Sequence, residues 1–477
     1  MHPRRPAFFS DKCLGCAVLF LVIFCSRAWL IRTWGSSLPF WDQWDAEAAG
    51  LYAPWVRGTL HARDLFAAHN EHRIVLTRAA DLLLFIVNGG WSPWSQLLLN
   101  AALHASIAGV LAAMFWDFLA PKARAIFLAG LAVLFASTAG WQNALWGFQS
   151  QVYFASLLAA LAIAGVSAGP PLGKTWWLGW TAALLGLFAN ASGLLAVVVV
   201  LIIALGNAWS RRDRPSWLAA AAMLVLLAIG AALRVEPPAH AALHARDFSE
   251  FIAATAHSLA WPHVDRAWPC LLRIWPLGWL WLRRRREQRA LDFGDRCALA
   301  LGLLGALHAT AIAYSRGAGL IDHRPLSRYQ DPLVLGVAAQ LFTVARLAGG
   351  APRLERVAFF GWSATLLAGL ITLTTTNLTL NLPYKRSQDQ FALPAVRARD
   401  VHSVEQFATL HPSNPASVAR ALADPVVVAF LPRDLRDGHE PLENTAPGII
   451  RWARSLTLIA AALFAAMLVR VARARPD

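Results

Sequence analysis

Charge is what this 477-residue chain lacks most: Asp, Glu, Lys and Arg make up 15% of it, against 57% hydrophobic residues. That shortage excludes a water-soluble protein, because a few domains of this length cannot bury so much apolar surface. Lysine is confined to Lys12, Lys122, Lys174 and Lys385, so the net charge of +15 is built almost wholly from arginine. In a soluble chain that balance would suggest nucleic acid. Here the arginines cluster at the ends of apolar runs, which is a signal of membrane topology and speaks against nucleic acid as a partner. Cysteine is sparse too, five in all, and the positions of Cys13, Cys16, Cys25, Cys270 and Cys297 in or beside apolar runs offer no disulfide framework. Cys13 and Cys16 form a CxxC without a second pair or a His cluster, and read as small buried hydrophobes rather than zinc ligands. No internal repeat and no low-complexity tract occurs.

What is there is an all-α polytopic membrane protein. Apolar runs near the roughly 17 to 25 residues that a spanning helix needs fall at 14–31, 94–118, 125–139, 152–167, 176–189 and 194–208. Further runs fall at 217–233, 268–282, 297–314, 332–344, 358–378 and 449–469, which makes about 12 transmembrane helices, several of them short. The first run follows the basic "MHPRR" and lacks a small-residue cleavage site, so it reads as an uncleaved signal anchor with its C-terminal end outside. The loops "PKAR", "RRDR", "RRRREQR" and "RLAGGAPRLER", Lys174 and the tail "RVARARPD" then all fall inside. This pattern predicts a multi-pass protein of the cytoplasmic (inner) membrane with both termini cytoplasmic.

The alternation requires that residues 73–90, "RIVLTRAADLLLFIVNGG", do not cross. Their apolar stretch of about 14 residues is too short to span. Asn70, Arg73, Thr77, Arg78 and Asp81 recur every three or four positions, which predicts an amphipathic interfacial helix. The chain thus divides into a transmembrane core, 1–380, with a first outside loop at 34–72, an extracytoplasmic loop or subdomain at 381–448, and a last helix and tail at 449–477.

Three constellations lie on the outer side. The first loop opens with "PFWDQWDAEAAGLY", where Asp42, Asp45 and Glu47 sit among Trp41, Trp44 and Tyr52, and it closes with "AAHNEHRIVLTR", carrying His69, Glu71, His72, Arg73 and Arg78. Carboxylates flanked by large rings beside a membrane are partly desolvated and need a partner or a task. In "AYSRGAGLIDHRPLSRYQDP", Arg316, Arg324, Arg328 and Tyr329 stand where the positive-inside bias should have removed arginines. Forked guanidinium groups suit a lipid phosphate. General contact with anionic headgroups, or pairing with Asp322 and Asp331, is the other reading. Gln142, Asn143 and Gln149 lie among aromatics in "TAGWQNALWGFQSQVYF", fit either for sugar hydroxyls or as glue between helices.

This arrangement resembles the GT-C superfamily of membrane glycosyltransferases that use polyprenyl-phosphate sugars, the group containing protein mannosyltransferases and the aminoarabinose transferase of lipid A. The resemblance covers the first 120 residues: an anchor helix leads to an outside loop in which Asp45 and Glu47, as "DAE", stand where members carry adjacent acids. Tyr52 follows, and "HNEHR" occupies the place of a His-Pro-Pro type motif. Ala46 separates the acids, and the loop around 141–149 lacks the carboxylate that some members use.

The resemblance implies an inverting transfer from a polyprenyl-phosphate sugar in which a first-loop carboxylate deprotonates an acceptor hydroxyl. Asp45 is the expected base, Asp42 the nearest alternative and Glu47 a positioning group, with Arg316, Arg324 and Arg328 stabilising the leaving phosphate. A divalent cation is compatible with the acids and is not required by them. The rival class is a lipid or glycan transporter, or a non-catalytic partner in envelope assembly. A transporter would be expected to show repeated halves and interrupted spans, and neither is evident.

Overall fold

The computed structural model describes residues 10–349, 351–436 and 446–474. The leading "MHPRR", Gly350 of one arginine loop, residues 437–445 of the last loop and 475–477 of the tail lie outside the described residues.

Among the described residues the structure is helical, apart from an isolated antiparallel bridge between His69 and His72. Helix α1 (Asp11–Trp34) starts at Ser10, whose side chain accepts from the Cys13 amide, and stops at Gly35. α2 (Val75–Asn88) ends on Gly89 at φ 65°, the left-handed stop that glycine tolerates. α3 (Pro93–Phe115) begins with a Ser92 cap and proline in its first turn. Then come α4 (Pro121–Ala136), α5 (Ser150–Ala168), α6 (Lys174–Gly186), α7 (Gly193–Arg211) and α8 (Arg214–Ala232). After these run α9 (Phe248–Leu259), α10 (Cys270–Arg286), α11 (Phe293–Arg316) and α12 (Asp331–Ala348). α13 (Arg353–Thr376) passes through a π-helical turn, Asn377–Asn381, into α14 (Leu382–Ala398). The short α15 (Val404–Leu410), α16 (Pro415–Ala423) and α17 (Pro425–Phe430) precede α18 (Ala453–Arg473).

Nine segments among the described residues are long and apolar enough to cross a membrane: α1, Pro93–Phe118, Gly147–Ala168, α7, α8, Phe293–Gly319, α12, Arg353–Ala398 and α18. Each coincides with a run predicted from sequence. The other three predicted runs are also helical, but α4, α6 and α10 have only 16, 13 and 17 residues. At about 1.5 Å per residue, α6 covers roughly 20 Å of a hydrocarbon core about 30 Å thick. The predicted run ending at 378 is the start of a continuous 46-residue helix, Arg353–Ala398, far longer than one crossing requires.

The bundle is centred on α12, the most thoroughly buried of these segments. Phe342 on α12 stacks on Phe115 of α3 with ring centroids 4.0 Å apart. α11 reaches α12 through facing glycines: a Cβ on Gly305 would lie 3.0 Å from the Gly336 Cα, so only small residues allow these backbones together.

A second apolar cluster caps one end. Trp44, Leu51 and Tyr52 of the first loop pack with Phe85 of α2 and with Phe407, Leu422 and Phe430 of the last loop. The Trp91 amide donates to the Phe430 carbonyl (3.1 Å), and Arg57 pairs with Asp424 (2.5 Å). Residues from the two ends of the chain therefore share one core above the bundle.

Candidate functional site

The turn after α1 places Trp41 at φ 50°, a left-handed conformation unusual for a bulky side chain. Its ring stacks near His411 (centroids 6.3 Å apart), and the Arg328 guanidinium lies 4.8 Å from its centroid. The Trp44–Tyr52 π-helix then carries Asp45 into the same corner. One ligand atom each from Asp42, Asp45 and His411 lie within 4.8 Å of one another. His69 Nε2 is 3.6 Å from Asp42 Oδ2, and His411 Nε2 is 3.3 Å from Asp45 Oδ2.

His411 is only 3% exposed, whereas the Asp45 side chain keeps 38% of its surface open. Partial burial pushes the Asp45 carboxyl up. The His411 hydrogen bond and charge, the His69 charge and the Ala46 amide outweigh it and hold the group below its ordinary range. Asp45 is thus an ionised, reachable carboxylate. Around it, Phe40, Trp41, Trp146 and Phe148 form an aromatic wall, with Phe148 against His69.

Glu47 does not face this opening. It is 1% exposed, beside Asp81 of α2, also 1% exposed. One Gln96 amide nitrogen donates to both, at 2.8 Å to Glu47 and 3.0 Å to Asp81, and Gln43 and Tyr52 also reach Glu47. Burial raises both groups, pushing Asp81 up to about 7, and Asp81 raises Glu47 further. Two buried carboxyls sharing one donor hold at least one proton between them, so Glu47 is a structural neighbour of Asp45 and not a second open acid.

The three arginines expected to act together are split. Arg316 donates to Glu71 at 2.6 Å and to the Tyr329 hydroxyl at 3.2 Å. Glu71 also meets His240 at 2.6 Å, and despite burial Arg316 and His240 draw its carboxyl down to about 2. Arg324 turns to Asp265 (2.7 Å) and Asp322 on the exposed surface. Arg328 lies over Trp41 and Tyr329 and has no ion pair among the described residues. It is therefore the one arginine of the set left available beside the acids. The three arginines therefore do not converge: Arg316 is neutralised by Glu71 behind Tyr329, Arg324 turns to the surface, and Arg328 stands beside the acids.

The remaining predicted residues brace the loops. His72 accepts from the Ala191 amide at 3.3 Å, and burial draws it down to about 4, so it is neutral at pH 7. Arg73 donates to the Phe66 and Leu233 carbonyls, and Arg78 to those of Asp64, Leu65 and Ala67. Gln142 accepts from the Arg328 amide at 3.1 Å, and Asn143 donates to the Arg328 carbonyl at 3.0 Å and to Asp331 at 2.9 Å. These amides hold the arginine loop in place. Gln149 is buried at the start of Gly147–Ala168.

Sequence reasoning passed over His411, which lies more than 360 residues from Asp45 in a loop without a motif. It also missed Gln96, Asn100 and His104, although their spacing of four marks one face of α3 and all three are buried. Deeper in the bundle His104 meets Arg27 of α1 at 2.9 Å, and Tyr153 donates to Asp331 at 3.0 Å. Compared with protein-family models, curated proteins and solved structures, the chain matches none.

Proposed function

We propose that this protein is a membrane glycosyltransferase that moves a sugar from a polyprenyl-phosphate donor to an acceptor at the outer face of the cytoplasmic membrane. The observation that carries the reading is the pairing of an open, ionised Asp45 with an arginine, Arg328, that has no carboxylate partner among the described residues and lies over Trp41 in the same corner. Asp45 removes the proton of an acceptor hydroxyl. The acceptor oxygen bonds the anomeric carbon from the opposite face while the carbon–oxygen bond to phosphate breaks, and its electron pair leaves on the phosphate. Arg328 stabilises that charge through forked hydrogen bonds. Asp42, fixed by His69, is the alternative base, and Glu47 supports the π-helix from beneath.

The Asp42, Asp45 and His411 atoms, two oxygens and one nitrogen, fit a divalent cation of the manganese or zinc type better than magnesium. Such an ion would supply Lewis-acid stabilisation of phosphate oxygens.

The reading includes the topology inferred from the arginine loops: twelve crossings, with α4, α6 and α10 as short ones, both termini cytoplasmic and the acid cluster outside. One observation favours a transporter instead, namely the buried Arg27, His104 and Asp331 within membrane segments, since such groups often mark transport pathways. Transfer from a labelled polyprenyl-phosphate sugar by the purified protein in nanodiscs separates the two. Asp45→Asn should keep donor binding and lower turnover by about two to four powers of ten. Absence of transfer by the wild type across a panel of acceptors, together with donor movement across liposomes, would establish the transporter.

A further inference from the structure

A cavity of about 300 Å³ lies between α10, α11, α12 and the end of α9. Its walls are apolar, with Leu277, Leu303 and Val337 among them, and Gly278, where a Cβ would meet nothing within 4 Å, leaves room along α10. The rim residues Ile274, Trp281 and Leu303 are exposed apolar side chains, so the cavity opens towards hydrocarbon rather than water.

Arg273, one turn into α10, lines this cavity while only 4% exposed. Among the described residues its Nη1 has no hydrogen-bond partner and the guanidinium makes no ion pair; it lies 5.7 Å from the centroid of the Trp362 ring. The Ser258 hydroxyl and the Gln340 carbonyl oxygen in the same lining are also buried without partners. A buried guanidinium with nothing to balance it is a costly arrangement that an anion relieves. Arg273 stands near the end of α10 opposite the Arg283–Arg286 cluster, and the apolar groove runs from it along the helix towards Trp281, about 12 Å away at helical rise. A single cation at the head of a hydrocarbon-walled groove matches an amphiphile with one anionic head and a chain.

We propose that this groove seats one anionic phospholipid of the surrounding bilayer, its phosphate on Arg273 and an acyl chain lying over Gly278 towards Trp281. The groove shares no residue with the Asp45 cluster, and the proposal stands independently of the transfer reaction.

The full-length protein, purified in detergent and mixed with phosphatidylglycerol or phosphatidylcholine, tests it by native mass spectrometry. One phosphatidylglycerol should remain bound where phosphatidylcholine is lost. Arg273→Gln should weaken that binding by about tenfold or more, the worth of a charge-assisted contact. A Cβ at Gly278 meets nothing within 4 Å, so Gly278→Leu adds bulk to the groove lining while keeping the arginine, and it should also lose the lipid. It serves equally where Arg273→Gln fails to fold. Equal retention of the two lipids by the wild type, or undiminished phosphatidylglycerol binding in Gly278→Leu, overturns the proposal. Displacement of phosphatidylglycerol by millimolar inorganic phosphate alone overturns it as well, since the chain would then contribute nothing.

Discussion

Asp81→Asn should make the protein more stable above pH 7 and flatten the dependence of its stability on pH. In the folded chain the Asp81 carboxyl titrates at about 7 instead of the ordinary 3.8, because burial disfavours its charge. The folded state therefore binds more protons than the unfolded chain between these values, and stability falls as pH rises from about 4 to 7 and then levels off. At 1.36 kcal/mol per pH unit, the penalty carried above pH 7 is about 4 kcal/mol. Asparagine keeps an oxygen for the Gln96 donor, which lies 3.0 Å away, and carries no charge to bury. It also removes the like-charged neighbour of Glu47, whose own elevation from burial persists, so a weaker slope should remain. The assay is thermal unfolding in nanodiscs followed by tryptophan fluorescence between pH 5 and pH 8.5. A variant with the wild-type slope, or one less stable than wild type at pH 8, would refute a titrating pair at this position.

His411→Ala removes the hydrogen bond and the charge that lower Asp45, so the acid limb of the transfer pH profile should move to higher pH; an unmoved limb would separate Asp45 from the rate. Arg328→Lys should weaken donor binding by about tenfold, because a point charge replaces a planar fork, and donor titration of both proteins measures it. Single cysteines labelled with an impermeant reagent in intact cells should react at His61 and be protected at Arg285; the opposite pattern would invert the proposed topology.

Class and coarse architecture were legible in the linear sequence. An apolar run of some twenty residues has few options other than a helix in lipid, where every backbone group must find its partner within the segment. The runs behind α1, α7, α8 and α18 accordingly became helices of spanning length. The short apolar stretch at 73–90 became the 14-residue α2, though with Thr77 and Asp81 turned inward and Leu83 and Val87 exposed. The composition of the first loop also marked Asp42 and Asp45 as carboxylates set among rings.

Which acids stay open, and which arginine stays unpaired, was decided by contacts between distant segments. Asp45 and Glu47 are two residues apart, yet the π-helix sends one towards His411 and buries the other against Asp81 and Gln96. Arg316 and Arg328 are equivalent by composition, but Glu71, 245 residues before Arg316, neutralises only the first. Periodicity along the chain records which face of a helix is apolar. The pairing of one charge with another depends on separations of a few ångströms between segments hundreds of residues apart, which only the folded chain brings about.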